Sequence, residues 1–221
     1  VAPDVSRLRD VVYRIDDERL RHVPRLEYSG VVAQGTAFCS TDSCVSMFGA
    51  VYDTGAVVFP PHARVLEIGC AEGDWQTPML VARPDLQITG IDWRACERPG
   101  TVIRGDVLTV DFPEASFDVI VGISSIEHIG LGHYESDPID PDGDQRCMAR
   151  VVRWLKPGGW VYADVPYGPA YTVEGTSHRV YHDAAIRDRL MVSGLQERRR
   201  WYSTWAGPDH VLHDQPDWQG P

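Results

Sequence analysis

The chain has 221 residues, 43% hydrophobic and 24% charged, enough for one domain whose core needs no disulfides or structural metal. Acids outnumber bases, 32 Asp and Glu against 21 Lys and Arg, and the net charge of −11 argues against a nucleic-acid partner. No run of about 18 apolar residues occurs, so no membrane partner or membrane-spanning helix is expected.

Residues 1–22 place Val5, Leu8, Val11, Val12, Ile15 and Leu20 at roughly helical spacing. Residues 28–61 carry Gly30, Gly35, Gly49 and Gly55 with no sustained period, which reads as loops with one short helix. Residues 1–61 are thus expected to form a cap or lid over a main domain of residues 62–221. The charged first twenty residues do not resemble a signal peptide. The five cysteines are odd in number and lack a C-x-x-C pair, so reduced thiols in a cytoplasmic protein are expected.

From Arg64 strands and helices alternate. Residues 65–68 form a short β-branched run ending at Gly69 that reads as a buried strand, and a helix is predicted over 74–82 with Asp74 as N-cap. Strands are predicted at 86–91, 101–103, 117–123 and 160–165. Helices are predicted at 144–155, stopped by Lys156-Pro157-Gly158-Gly159, and at 182–191. Weaker strands follow at 195–201 and 210–213. Apolar runs without alternation, separated by helices, indicate a mainly parallel sheet covered on both faces, an α/β doubly wound architecture. A ligand then belongs outside the carboxyl ends of the strands, at the point where strand order reverses.

The first such loop is Glu67-Ile68-Gly69-Cys70-Ala71-Glu72-Gly73-Asp74. Its small residues fall at 69, 71 and 73, whereas a dinucleotide fingerprint needs 69, 71 and 74, and Asp74 repels a pyrophosphate. The spacing therefore argues against a NAD-dependent oxidoreductase. The acids flanking this tight turn suit a ligand with ammonium or sulfonium charge.

VLEIGCAEG resembles the first motif of class I S-adenosylmethionine (SAM) dependent methyltransferases, with Ala71 at the usual central Gly. ITGID, GDVLTVDF, FDVIVGISSIEH and LKPGGWVYADVP match further motifs in the right order, over about residues 62–165. The stretch SSIEHIGLGHYESDPIDPDGD resembles a little-characterised branch of unknown function. The resemblance implies a Rossmann-like, seven-stranded sheet, SAM as cofactor and S-adenosylhomocysteine as product. It implies that Glu67 holds the turn and helps receive the methionine ammonium, and that Gly69, Ala71 and Gly73 let the backbone lie against the ligand. Asp92 would accept from the ribose hydroxyls, and Asp106 from the adenine amino group with the Val107 N–H facing the ring. Ile123 and Ser124 would border the ligand. Trp93 would cover the adenine or cap the sheet end.

For the acceptor, a base near neutral pH points to His128, four residues beyond Ser124. The alternative is that Glu127 and His128 brace a helix start. His133 and Tyr134 follow in a Gly-rich loop. His178, Arg179, Tyr181 and His182 follow the fifth strand and face the acceptor or begin a polar helix. No metal site is assigned: the run Asp137, Asp140, Asp142 and Asp144 fails the spacing of a Ca2+ loop and reads as a solvated turn, with a looser Mg2+ site as the alternative. Arg198, Arg199 and Arg200 read as a solvated strand edge. The leading expectation is methyl transfer to a hydroxyl oxygen of a small molecule, a sugar or secondary metabolite. The alternatives are a SAM-binding regulatory or accessory protein and a SAM-assisted lyase or cyclase.

Overall fold

The computed structural model describes residues 59–70, 84–94, 101–134, 138–197 and 200, with the backbone of 202–206 and 209–213. The cap expected over residues 1–61, apart from its last three, lies outside the described residues, as do the helix at 74–82, Ala71, Gly73 and Asp137.

Five strands form one parallel sheet: β1 (Arg64–Ile68), β2 (Gln87–Asp92), β3 (Thr101–Arg104), β4 (Phe117–Gly122) and β5 (Leu155–Ala163). Their order is β3-β2-β1-β4-β5. The chain builds outward from β1 to β3, then returns to the other side of β1, so the order reverses between β1 and β4. Those two strands carry the most continuous apolar runs because both faces are covered. Val65, Leu66, Val119, Ile120 and Val121 are all buried.

The helix α1 (Gly143–Trp154) buries Asp144, Cys147, Met148, Val151 and Trp154, one face at helical spacing, and leaves Arg146 and Arg153 outside. Trp154 anchors it: the ring meets Phe112 edge-on at 5.0 Å, and Phe112 meets Phe117 of β4 at 5.1 Å. The helix ends at Trp154, just ahead of the Lys156-Pro157-Gly158-Gly159 stop in the sequence, and β5 begins earlier than residue 160. Leu155 pairs with Phe117 and the ladder resumes at Trp160 opposite Val119. Pro157 has no N–H to offer and Gly158 turns at φ +79°, so the intervening residues leave the ladder.

The resemblance implies seven strands in one sheet. Among the described residues the sheet has five, and the late strands pair as two antiparallel hairpins. These are β6 (Thr172–Glu174) with β7 (His178–Val180) and β8 (Tyr202–Ala206) with β9 (Asp209–His213). The strand predicted at 195–201 lies instead at Tyr202–Ala206. Leu195 N–H reaches Val192 O, and Arg200 pairs with Glu197 and Asp183. Arg198 and Arg199 lie outside the described residues. The helix predicted at 182–191 is a short turn, α2 (Asp183–Ala185), that widens over Ile186–Leu190, where Met191 N–H reaches Ile186 O at 3.0 Å.

Asp144 overturns the solvated-turn expectation. It is fully buried, and its carboxylate accepts from Tyr181 Oη at 2.9 Å and from Arg189 at 2.7 and 2.8 Å. The equally buried Arg179 Nε lies 3.8 Å away. Asp140 and Asp142 also face arginines, Arg146 and Arg189. Removing one partner of a buried pair strands the other charge. Asp144→Ala is therefore expected to lower unfolding free energy in urea by about 3 to 5 kcal/mol. Asp142→Ala, whose side chain is 64% exposed, should change it by less than about 0.5 kcal/mol.

Candidate functional site

The loops following β1, β2, β3 and β4 enclose a cleft of about 590 Å3, part of it open to solvent. Its wall includes Gly69, Asp92, Trp93, Asp106, Val107, Ser124 and, on the far side, His128 and Tyr134. Glu67 and Ile123, read from the sequence as ligand neighbours, are buried in and beside the sheet. They are not among the residues lining the cleft.

Each wall residue is fixed by its strand end. Gly69 sits at φ +76°, and a Cβ there would lie 2.4 Å from Ser125 Cβ, so the β1 and β4 loops touch only because this position is bare. Asp92 ends β2, and its Oδ1 accepts from Arg94 N at 2.8 Å and Arg94 Nε at 3.2 Å. Asp106 begins a turn beyond β3: Oδ1 accepts from Leu108 N at 2.8 Å, and Oδ2 is buried with no hydrogen-bond partner. Ser124 adopts φ +43°, uncommon for a residue with a Cβ. It is held there by Asp164, whose Oδ1 accepts from Ser124 N.

The acceptor candidates come together. His128 closes the single turn Ile126–His128, and His133 stacks on it at 5.4 Å. His178 of β7 stands edge-on to His128 at 6.3 Å, and Tyr134 packs on His133 at 4.7 Å. His128 Nδ1 lies 2.5 Å from Ser177 O, so this nitrogen carries the proton and the lone pair of the neutral ring is on Nε2. His178 is buried, with Nδ1 at 3.0 Å from Ser177 Oγ and Nε2 without a partner. Burial, then the neighbouring His128, hold its pKa below the usual histidine range.

Of the other residues grouped with His178, none joins the cluster. Arg179 turns inward, with Nη atoms on the carbonyls of Glu127, Ile129, Asp140 and Pro141 at 2.7–3.3 Å. Tyr181 bonds Asp144, and His182 takes the N-cap position of α2. His178 and Arg179 lie in a hairpin strand, because β6 and β7 pair across Glu174 and His178, whereas His182 stands at a helix start as the sequence suggests. Sequence reasoning missed Arg94, which lies over the Tyr134 ring at 4.9 Å, and Asp164. An acid at the end of a buried strand, as in YADVP, is the available signal for Asp164. Among the described residues no group of three or more His, Cys, Asp or Glu is placed to hold a metal ion.

The parallel sheet with its helices matches the α/β fold of class I methyltransferases. Residues 109–213 match a family described as "Caenorhabditis protein of unknown function, DUF268". The phthiotriol/phenolphthiotriol dimycocerosates methyltransferase of Mycobacterium leprae (strain TN) is 32% identical over 113 residues. That match covers 46% of this chain and 37% of the relative. The crystal structure of the [4+2]-cyclase SpnF superposes with a TM-score of 0.59 at 16% identity, over 92% of this chain and 75% of that one. Phosphoethanolamine N-methyltransferase 2 of Haemonchus contortus, solved with SAM, gives 0.52 at 18% identity, over 69% and 36%.

Glu127 adds a pH dependence. It is fully buried, and burial pushes its carboxyl from 4.5 up to about 7 against the pull of the Ser124 hydrogen bond and the Arg179 charge. The raised folded-state value means that its stabilisation is complete below 4.5 and is lost as pH rises through about 7. Stability of the wild type relative to Glu127→Gln is expected to fall by roughly 3 kcal/mol over that window, read from urea midpoints.

Proposed function

We propose that this chain is a SAM-dependent methyltransferase acting on a small-molecule acceptor at a hydroxyl oxygen, in the manner of a sugar or secondary-metabolite enzyme of the cytoplasm. The observation that carries the reading is Asp106 Oδ2, a buried acceptor atom without a donor in the wall of the cleft. An adenine amino group provides the missing donor, and the adjacent Val107 faces the ring. Asp92, on the neighbouring strand end, suits the ribose hydroxyls. Carboxylates rather than arginine clamps suit a cofactor with a sulfonium and no phosphates. Glu67 and Ile123 shape the floor beneath this ligand, and Trp93 covers its face.

Bound SAM supplies a methyl group on a positively charged sulfur. The chain's part is to align the acceptor, exclude water and take a proton. His128 faces the cleft with its tautomer set by Ser177 O, so Nε2 receives the acceptor's hydroxyl proton as the oxygen bonds the methyl carbon. With its methyl group passed to the acceptor oxygen, bound SAM would leave as S-adenosylhomocysteine. His133, Tyr134 and the buried His178 form the wall on the acceptor side. The likeness to the [4+2]-cyclase SpnF is consistent with a second reading, a SAM-assisted lyase or cyclase, which would form no S-adenosylhomocysteine.

Asp106→Asn places an NH2 or a weakened acceptor opposite the adenine amino group. SAM affinity by calorimetry should fall by more than about 1 kcal/mol. Unchanged affinity would remove the adenine assignment. With an active acceptor in hand, His128→Ala should retain SAM affinity and slow formation of S-adenosylhomocysteine by about 100-fold or more. A turnover rate equal to wild type would rule out His128 as base.

A further inference from the structure

The sequence pairs Glu127 with His128, and the structure makes that pairing spatial. Glu127 is fully buried; its Oε1 accepts from Ser124 Oγ at 2.8 Å and lies 3.6 Å from His128 Nε2, while Oε2 has no hydrogen-bond partner. His128 thus donates from Nδ1 to Ser177 O and has the Glu127 carboxyl near Nε2, beyond hydrogen-bond distance. A buried carboxyl with one unpartnered oxygen is costly unless a proton or a cation reaches it.

We infer that Glu127 is a positioning residue that acts through His128, the two side chains taking up and releasing protons as one unit. The inference deepens the proposed methyl transfer and rests on His128 as its base. When Nε2 gains the acceptor's proton, the imidazolium forms 3.6 Å from the carboxylate, which stabilises it. The competent resting form is then carboxylate plus neutral imidazole, and the proton returns to solvent after transfer. The other charged groups around the pair are Arg179, whose Nη1 donates to the Glu127 carbonyl at 3.2 Å, and Asp144 and Tyr181 behind Arg179. His133 and His178 face the His128 ring at 5.4 and 6.3 Å. Arg179 favours the carboxylate, and the two histidines oppose a third positive ring in the cluster.

The test is a carbon-13 NMR titration of the histidine Cε1 and glutamate Cδ resonances of the whole chain, without SAM or acceptor. In the wild type the His128 and Glu127 resonances should share two inflections. In Glu127→Gln the His128 curve should collapse to one inflection, with its upper midpoint lower by about one pH unit. A single His128 inflection that Glu127→Gln leaves in place would overturn the inference. Should that variant not fold, the wild-type curves decide alone, because separate inflections for the two resonances also contradict it. The outcome is independent of SAM binding, so loss of SAM affinity in a separate titration would count against the proposed function and not against the pair.

Discussion

The contact between Gly69 and Ser125 is the constraint on which the site depends. The sheet order reverses between β1 and β4, so the loops leaving these two strands diverge and open a cleft between them. The floor of that cleft closes only if the two loops touch, and a methyl group at position 69 would stand 2.4 Å from Ser125 Cβ. The left-handed backbone at Gly69 and the equally unusual one at Ser124 belong to the same meeting point, and Asp164 holds the second of them from below. Asp92 and Asp106 then reach the cleft from the next two strand ends, one rung and two rungs away across the sheet.

The far side of the cleft is built differently. Its residues come from the 126–141 loop and the β6–β7 hairpin, neither of which belongs to the sheet. What unites them is Arg179, buried in the hairpin, with its guanidinium spread over four backbone carbonyls of the loop and its charge facing Asp144. One side chain thus satisfies carbonyls that a loop of this length would otherwise bury unpaired. The same strand presents His178 on its way past, so that the clamp and the histidine cluster are consecutive residues.

Much of the sheet could be read from the chain because a covered parallel strand leaves a local mark. Residues 65–68 and 119–121 are buried throughout, Glu67 being the one polar member, and Gly69 is visible as the break that ends the first run. Asp92 and Asp106 were legible for the same reason, each being the first acid after an apolar run. The acceptor loop carried no such periodic mark. The Asp137–Asp144 run looks solvated in one dimension, since nothing in the local sequence shows that Arg179 and Arg189, more than thirty positions on, converge on Asp144. Likewise the triple arginine at 198–200 suggested a strand edge, whereas Arg200 pairs with Glu197 and Asp183. Long-range ion pairs decide these positions, and spacing does not encode them. The histidine cluster is equally a matter of the assembled wall, where His133 and Tyr134 meet His128 and, from the hairpin, His178.

The central claim is that an adenosyl compound without phosphates occupies the cleft, with its base at Asp106 and its sugar at Asp92. A crystal structure of the protein grown with S-adenosylhomocysteine tests it most directly. The account requires the adenine amino nitrogen within hydrogen-bond distance of Asp106 Oδ2 and both ribose hydroxyls on the Asp92 carboxylate. Density for the compound elsewhere, or a cleft that stays vacant at saturating ligand, would contradict it.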